Sequence, residues 1–514
     1  MAIFEADRNI FTPSTLGALA LSVVGGFVVV AASDLRPLYS AAMLVGLLGV
    51  SFFTIIGQRR IMLVVAWILL HPMSVEKVIQ VGTPAFPDFF PPAMVISASD
   101  VALGLLALTL LAEGPRVWSW SKALTPFALY VLWGVLVYLF LGGGTEAALA
   151  NVHNVKMFVY LFVLGNAVRS REEYLLVLAA ILAALSIQLG FMGRTLVTHK
   201  AFSISSKMTG ELMQFSGGES MYTRITGTVG HVNQQASYMT FFVLPLLGLL
   251  AARNTPWRLA AAGVMGGTLV ALILTYSRSA WLAIFVACAV VCWLILRRWG
   301  AGDRFWIFAF PIVLGGLLVL GVFSGRISDR LMRGDDGATS SRIRLIEQAL
   351  DLSKLYPVTG VGAGNFAMAM LRIFPPTRQE VQWLKRGEIP SELAGKFGRL
   401  EMTKAFSKTD DVYLVPLPVH NKYLLVLAEM GLVGLLLFLW FQWRVFRHAL
   451  SAARQADPVL LWSSLGVMGA FWATQCYMNL DLFSDDKSVE ILLFVPVAAM
   501  ILDRLARSGE RAGQ

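Results

Sequence analysis

Arg278-Ser279-Ala280-Trp281-Leu282-Ala283-Ile284-Phe285-Val286-Ala287-Cys288-Ala289-Val290-Val291-Cys292-Trp293-Leu294-Ile295-Leu296-Arg297-Arg298 decides the fold class of this chain. Residues 279–296 carry no charge, and arginines close both ends. As a helix such a run crosses roughly 30 Å of hydrocarbon. A membrane barrel would show segments of about 10 residues with alternating polarity instead.

Runs of this kind recur on both sides. The 514 residues are 57% hydrophobic and only 14% charged, where a soluble domain carries about 25% charged residues. The sequence predicts an all-α integral membrane protein, a multi-span helical bundle of about 12–14 helices. The expected spans are 14–32, 37–57, 61–74, 95–112, 123–141, 155–168, 173–193, 235–252, 257–275, 279–297, 305–323, 421–443, 460–479 and 488–503. The run Ser14–Ala32 has a weak basic flank and no small-residue cleavage site, so it reads as a retained helix. The net charge of +10 is explained by basic cytoplasmic loops rather than by nucleic acid. Cys288, Cys292 and Cys476 fit no zinc spacing and no disulfide framework.

Charge also orients the spans. With the N-terminus cytoplasmic, the even-numbered connections hold Arg59 and Arg60, Arg116 and Lys122, Arg169 and Arg171, Arg253 and Arg258, Arg297, Arg298 and Arg304, then Arg444, Arg447 and Arg454. The opposite connections are poor in Lys and Arg, so both termini are expected inside. Three long segments then lie outside: 75–94, 194–234 and 324–420. The last contains helix-like stretches at Arg342–Lys354 and Phe366–Ile373 and is expected to form a large, partly helical cap. The chain divides into 1–223 (N-terminal helices), 224–323 (central helices with arginine motifs), 324–420 (loop or cap) and 421–514 (C-terminal helices).

Candidate chemistry gathers at the outer ends. His420-Asn421 opens the span after the long segment, with Gly431 and Gly434 further along and Glu429 within the apolar run. A histidine there can titrate near neutral pH and meets both water and protein. A boundary histidine that merely reaches the interface would look the same. The glycines would let a neighbouring helix approach closely. Arg278 follows Thr275-Tyr276-Ser277 in a turn too short for a loop, on a face where arginine is unusual. Arg224 opens Arg224-Ile225-Thr226-Gly227-Thr228-Val229-Gly230-His231-Val232-Asn233. Two guanidinium forks on one face suit a diphosphate, though Arg224 could also be a solvated loop charge. Asn233 is the expected cap of the next helix. Gly360–Phe366 is a tight turn rather than a dinucleotide loop, since no strand precedes it. Asp100 could pair with an arginine or join the site. The acidic group Asp481, Asp485 and Asp486 fixes no ligand geometry, so no metal is expected.

The pattern His420-Asn421-x9-Gly431-x-x-Gly434 resembles the signature of the O-antigen ligase and Wzy-type polymerase superfamily. Thr275-Tyr276-Ser277-Arg278, Arg224-x-x-Gly227 with Asn233, and Arg342 ahead of the Gly360–Phe366 turn support it, over about 224–440. The resemblance implies a GT-C-like bundle in the bacterial inner membrane. It implies a metal-independent, inverting glycosyltransferase without cofactors, whose active site faces the periplasm. The donor would be an undecaprenyl-diphosphate-linked glycan and the acceptor a glycan or lipid A core. Membrane lipid and other polysaccharide-assembly proteins complete the implied partners. Carried over residue by residue, His420 would be catalytic. Arg224 and Arg278 would bind the diphosphate, and Asn421, Tyr276, Arg342 and Asn233 would support them. About fourteen spans exceeds the dozen common in the ligases and admits an exopolysaccharide polymerase. A protein O-oligosaccharyltransferase shares the signature, and a lipid-linked oligosaccharide flippase is the alternative from another class. A flippase should carry charges through the depth of an interior cavity, and the charges singled out here cluster at one face.

Overall fold

The computed structural model describes residues 59–73, 76–80, 94–115, 118–142, 144–200, 214–217, 220–252, 254–300, 338–373, 405–406, 412–413, 418–480 and 486–512. In chain order these form α1 (Arg59–Leu70), β1 (Glu76–Gln80), β2 (Met94–Ser97), α2 (Ala98–Ala112), α3 (Leu124–Leu141), α4 (Thr145–Ala167) and α5 (Arg171–Thr198). Next come β3 (Gln214–Gly217), β4 (Ser220–Thr223), α6 (Val232–Val243), α7 (Leu247–Leu250), α8 (Thr255–Leu274) and α9 (Arg278–Trp299). The remainder is α10 (Ala338–Leu355), α11 (Phe366–Ile373), β5 (Ala405–Phe406), β6 (Val412–Tyr413), α12 (Lys422–Ala452), α13 (Pro458–Leu480) and α14 (Asp486–Ala512). The strands are short antiparallel hairpins, β1 with β2, β3 with β4 and β5 with β6.

Among the described residues seven helices are long and apolar enough to cross a membrane: α3, α4, α5, α8, α9, α12 and α13. The protein is an all-α, multi-span membrane protein. The expected spans 14–32, 37–57 and 305–323 lie outside the described residues. Each of the other expected spans coincides with helix, although α1 and α2 are only 12 and 15 residues long.

Burial separates core helices from lipid-facing ones. The most apolar window of α5 is 83% buried, against 28% for α9. Helix α9 buries Ala280, Ala283, Ala287, Val291 and Ile295, a stripe at three- and four-residue spacing that packs on α13. Its other side exposes Leu282, Phe285 and Trp293. Without water to drive association, such small side chains matter because they let backbones approach closely.

Two expected helices are broken. The 235–252 span turns into a 3-10 segment at Leu244–Leu246 between α6 and α7. Pro245 cannot donate to the helical ladder, and its carbonyl accepts from Ser463 Oγ at 2.9 Å. Helix α12 breaks at Gly431, which sits at φ 66° and ψ −169°. A side chain there would be strained, and its Cβ would lie 2.1 Å from the Val358 carbonyl oxygen. The expected partner of Gly431 was a neighbouring helix; the partner observed is the backbone of the 356–362 turn. Val361 N–H donates to Ala428 O at 3.0 Å, Gly362 N–H to Glu429 O at 2.7 Å, and Leu432 N–H to Pro357 O at 2.8 Å. The carbonyls and N–H freed by the break are thereby satisfied.

A second, smaller core forms where the cap meets α12. Leu345, Ala349 and Leu352 of α10, Phe366 and Met370 of α11, and Val419, Leu425 and Ala428 pack together. The expected cap helices are thus present and seated on the bundle. At the far end of the molecule, ion pairs tie the basic connections together, with Arg169 to Glu113 at 2.6 Å and Arg171 to Asp457 at 2.7 Å.

Candidate functional site

Residues 224–230 run through the protein as buried irregular backbone. That is tolerable only if every polar group is paired, and two buried glutamines do much of the pairing. Gln188 Nε2 donates to Thr228 Oγ1 at 2.8 Å, and Thr228 N–H donates to Gln188 Oε1 at 3.0 Å. Val229 N–H donates to Gln235 Oε1 at 3.3 Å. Gly227 is required here because a Cβ would fall 2.3 Å from Gln188 Oε1. The sequence reading missed Gln188, since one amide in an apolar helix carries no signal of its own.

This strand of backbone fixes Arg224, which is 8% exposed. Arg224 Nε donates to Thr275 O at 2.7 Å and its Nη2 to Asn233 Oδ1 at 2.8 Å. Ile225 N–H donates to Leu274 O at 3.3 Å. The Thr275–Ser277 turn is therefore docked on Arg224, and Arg278, half-buried, begins α9 beside it. Tyr276 within the turn is 2% exposed and has φ 52°. A bulky residue in the left-handed region is an outlier of the kind that clusters at functional sites. These bonds exclude the reading of Arg224 as a solvated loop charge.

The expected cap, Asn233, is corrected by the structure. His231 is the N-cap of α6: its Nδ1 accepts from Asn233 N–H at 3.1 Å, and Gln234 completes a capping box. Asn233 instead orients Arg224. Because Nδ1 of His231 accepts, its Nε2 carries the proton in the neutral ring. His231 leaves part of its ring open at the surface, yet most of its surroundings are protein. Burial, and then the nearby Arg224, push it down to about 4.

His420 precedes α12 and is half-buried, anchored by Val419 in the smaller core. Its Nδ1 is buried with no hydrogen-bond partner among the described residues. Burial, the Arg342 guanidinium of α10 and His231 together lower His420 to about 4. His420, His231, Arg342 and Arg224 therefore share one electrostatic neighbourhood. Asn421 is the N-cap of α12, accepting from Leu424 N–H at 3.0 Å and donating to Asn479 Oδ1 at 3.2 Å. Its role here is to hold His420 at the helix mouth.

Below His420 lies a cavity of ≈ 120 Å³ between the 363–367 turn and α3, α4, α12, α13 and α14. Lys422, Glu429, His153 and Asn154 line it together with aromatic side chains such as Phe438 and Phe441. Glu429 accepts from Phe366 N–H at 3.4 Å and so holds the turn over this cavity.

Among the described residues Asp100 takes no arginine partner. Its Oδ2 lies 3.0 Å from Lys156 Nζ, and Tyr160 OH donates to its Oδ1 at 2.5 Å. Lys156 also meets Glu490 at 3.1 Å. Lys156 interrupts an apolar run, a signal the sequence reading passed over. The group Asp481–Asp485 lies outside the described residues. Among the described residues no group of three or more His, Cys, Asp or Glu side chains could hold a metal ion.

A family model described as O-antigen ligase matches residues 260–385. The match takes in Arg278 and Arg342 and ends before His420, a narrower stretch than the 224–440 of the motif resemblance. It supports the O-antigen ligase and Wzy-type superfamily, and a glycan-transferring ligase or polymerase in general terms. No curated protein matches the chain.

Proposed function

We propose that the protein transfers a glycan from undecaprenyl diphosphate to an acceptor hydroxyl at the periplasmic face of the bacterial inner membrane. What supports this reading is the docking of the Thr275–Arg278 turn on Arg224, together with a His420 that feels the charges of Arg342 and His231, from segments nearly 200 residues apart. Arg224 and Arg278 would hold the diphosphate. As the anomeric carbon–oxygen bond breaks, charge grows on the leaving group, and cations already fixed in place stabilise it without reorganising. Arg224 meets that requirement, since its guanidinium is locked by Thr275 and Asn233. The neutral His420 would accept the acceptor hydroxyl's proton or hydrogen bond through a ring nitrogen. Attack from the face opposite the leaving diphosphate inverts the anomeric centre. The cavity beneath His420, charged near Lys422 and aromatic deeper, suits an amphiphile whose tail lies among the helices.

The test is purified protein with undecaprenyl-diphosphate glycan and no added metal, alone and with lipid A core, beside His420→Ala. Longer lipid-linked chains from donor alone identify a polymerase, and transfer only with lipid A core identifies a ligase. No product from well-folded wild type, or an equal yield from His420→Ala, would sink the proposed role of this site.

A further inference from the structure

At the far end of α12, a second constellation stands apart from the glycan site. His448 lies 28 residues after His420, roughly 40 Å along a helix at 1.5 Å per residue. His448 Nδ1 lies 2.5 Å from Asp503 Oδ2 of α14, and its Nε2 lies 3.0 Å from Ser121 Oγ in the turn that enters α3. His448 and Asp503 are 5% and 2% exposed, while Ser121 is partly open to the surface.

The direction of the proton chain follows from these contacts. An ionised Asp503 only accepts, so Nδ1 of His448 carries the proton and donates. Nε2 is then the lone-pair nitrogen, and Ser121 O–H donates to it. Arg507 pairs with Asp503 and favours its ionised form. A hydroxyl hydrogen-bonded to a ring nitrogen whose other nitrogen is held by a buried carboxylate is the arrangement that activates a serine. Within the turn, Ala123 N–H donates to Ser121 Oγ at 3.3 Å and Leu124 N–H to Ser121 O at 3.0 Å, which holds the serine at the positive end of the helix dipole.

We propose that Ser121, His448 and Asp503 form a serine esterase site on the face opposite the glycan site. Ser121 Oγ forms a bond to the ester carbonyl carbon as its proton passes to His448 Nε2. The carbon–alkoxy bond breaks, and the alkoxide takes that proton and leaves as an alcohol. Water then attacks the acyl-serine, gives its proton to Nε2, and the carboxylic acid departs as Ser121 regains its hydrogen. The surroundings select an amphiphilic ester with an anionic head group. Trp118 and Trp120 flank Ser121 as interfacial aromatics do, and Lys122 and Arg504 supply cations.

The test is to treat full-length protein in detergent with a biotinylated fluorophosphonate and to map the adduct by mass spectrometry. The expected result is an adduct on Ser121, lost in Ser121→Ala and kept in the control Ser508→Ala. His448→Asn should slow labelling by about 100-fold or more, the scale of a lost general base. Hydrolysis of p-nitrophenyl butyrate should fall in parallel. A wild-type protein that takes no label on Ser121 overturns the proposal and leaves the triplet as a polar tie between α3, α12 and α14. Glycan transfer by Ser121→Ala should be unchanged, so this inference and the glycan reading fail separately.

Discussion

His420 and Asn421 are adjacent and do different things, and substitution should separate them. His420→Ala is expected to lower kcat by about 100- to 10,000-fold with the protein's melting temperature unchanged. Asn421→Ala removes the cap of α12 and should cost about 1 kcal/mol of stability, read by thermal unfolding, with activity reduced far less. The pH profile follows from the lowered His420. The neutral form is the competent base, so kcat/KM should be flat from neutrality downward and fall only as pH approaches about 4. An unperturbed histidine would lose activity near 6.5 instead. Arg342→Gln removes a cation that opposes the protonated ring, so its acid limb should move to higher pH. A limb in the same place as wild type would separate Arg342 from His420. Asn233→Ala frees one side of Arg224 and is expected to lower kcat more than it raises KM for the donor, because the guanidinium is no longer fixed where charge grows on the leaving group. The candidate residues were legible as Arg, His and Asn at outer ends of apolar runs. Which of His231 and Asn233 would cap and which would bind Arg224 was not, because both residue types cap helices and only the path of the 224–230 backbone decides.

At the scale of elements, the apolar runs were legible because a helix in lipid must be long and uncharged whatever its neighbours. The breaks were less so. Pro245 marks one of them openly, but Gly431 sits in a run whose composition reads as continuous helix. What breaks α12 is the docking of residues 357–362, sequence-distant backbone that no local pattern reveals. Gly431→Ala should therefore be more damaging than its size suggests. Positive φ alone costs about 1–3 kcal/mol, and the Cβ would also collide with Val358 O. The expected outcome is a lower melting temperature and faster proteolysis within 338–373. Equal protection in Gly431→Ala would show that the turn is held by other contacts.

At the scale of the molecule, the proposed orientation places the glycan site outside and the Ser121–His448–Asp503 triplet inside. In a background lacking Cys288, Cys292 and Cys476, His199→Cys should react with an impermeant thiol reagent applied to the outer face, and Ala456→Cys only after the membrane is opened. The reverse pattern would invert the topology read from the loop charges. Fold class came from composition, which averages over many residues, and the expected orientation rests on the charge of many loops. The site came from few, and those few are joined only by tertiary folding. The turn wedged into α12 bears on how the protein is made. Pro357, Val361 and Gly362 find their hydrogen bonds on residues 428–432, roughly 70 residues later in the chain. At about 5–20 residues per second of synthesis, these backbone groups wait several seconds on the ribosome's schedule before their partners exist. The cap therefore cannot mature in the order it is translated: its glycine turn is completed from the C-terminal side, and a chain stopped before α12 leaves the cap with nothing to seat on.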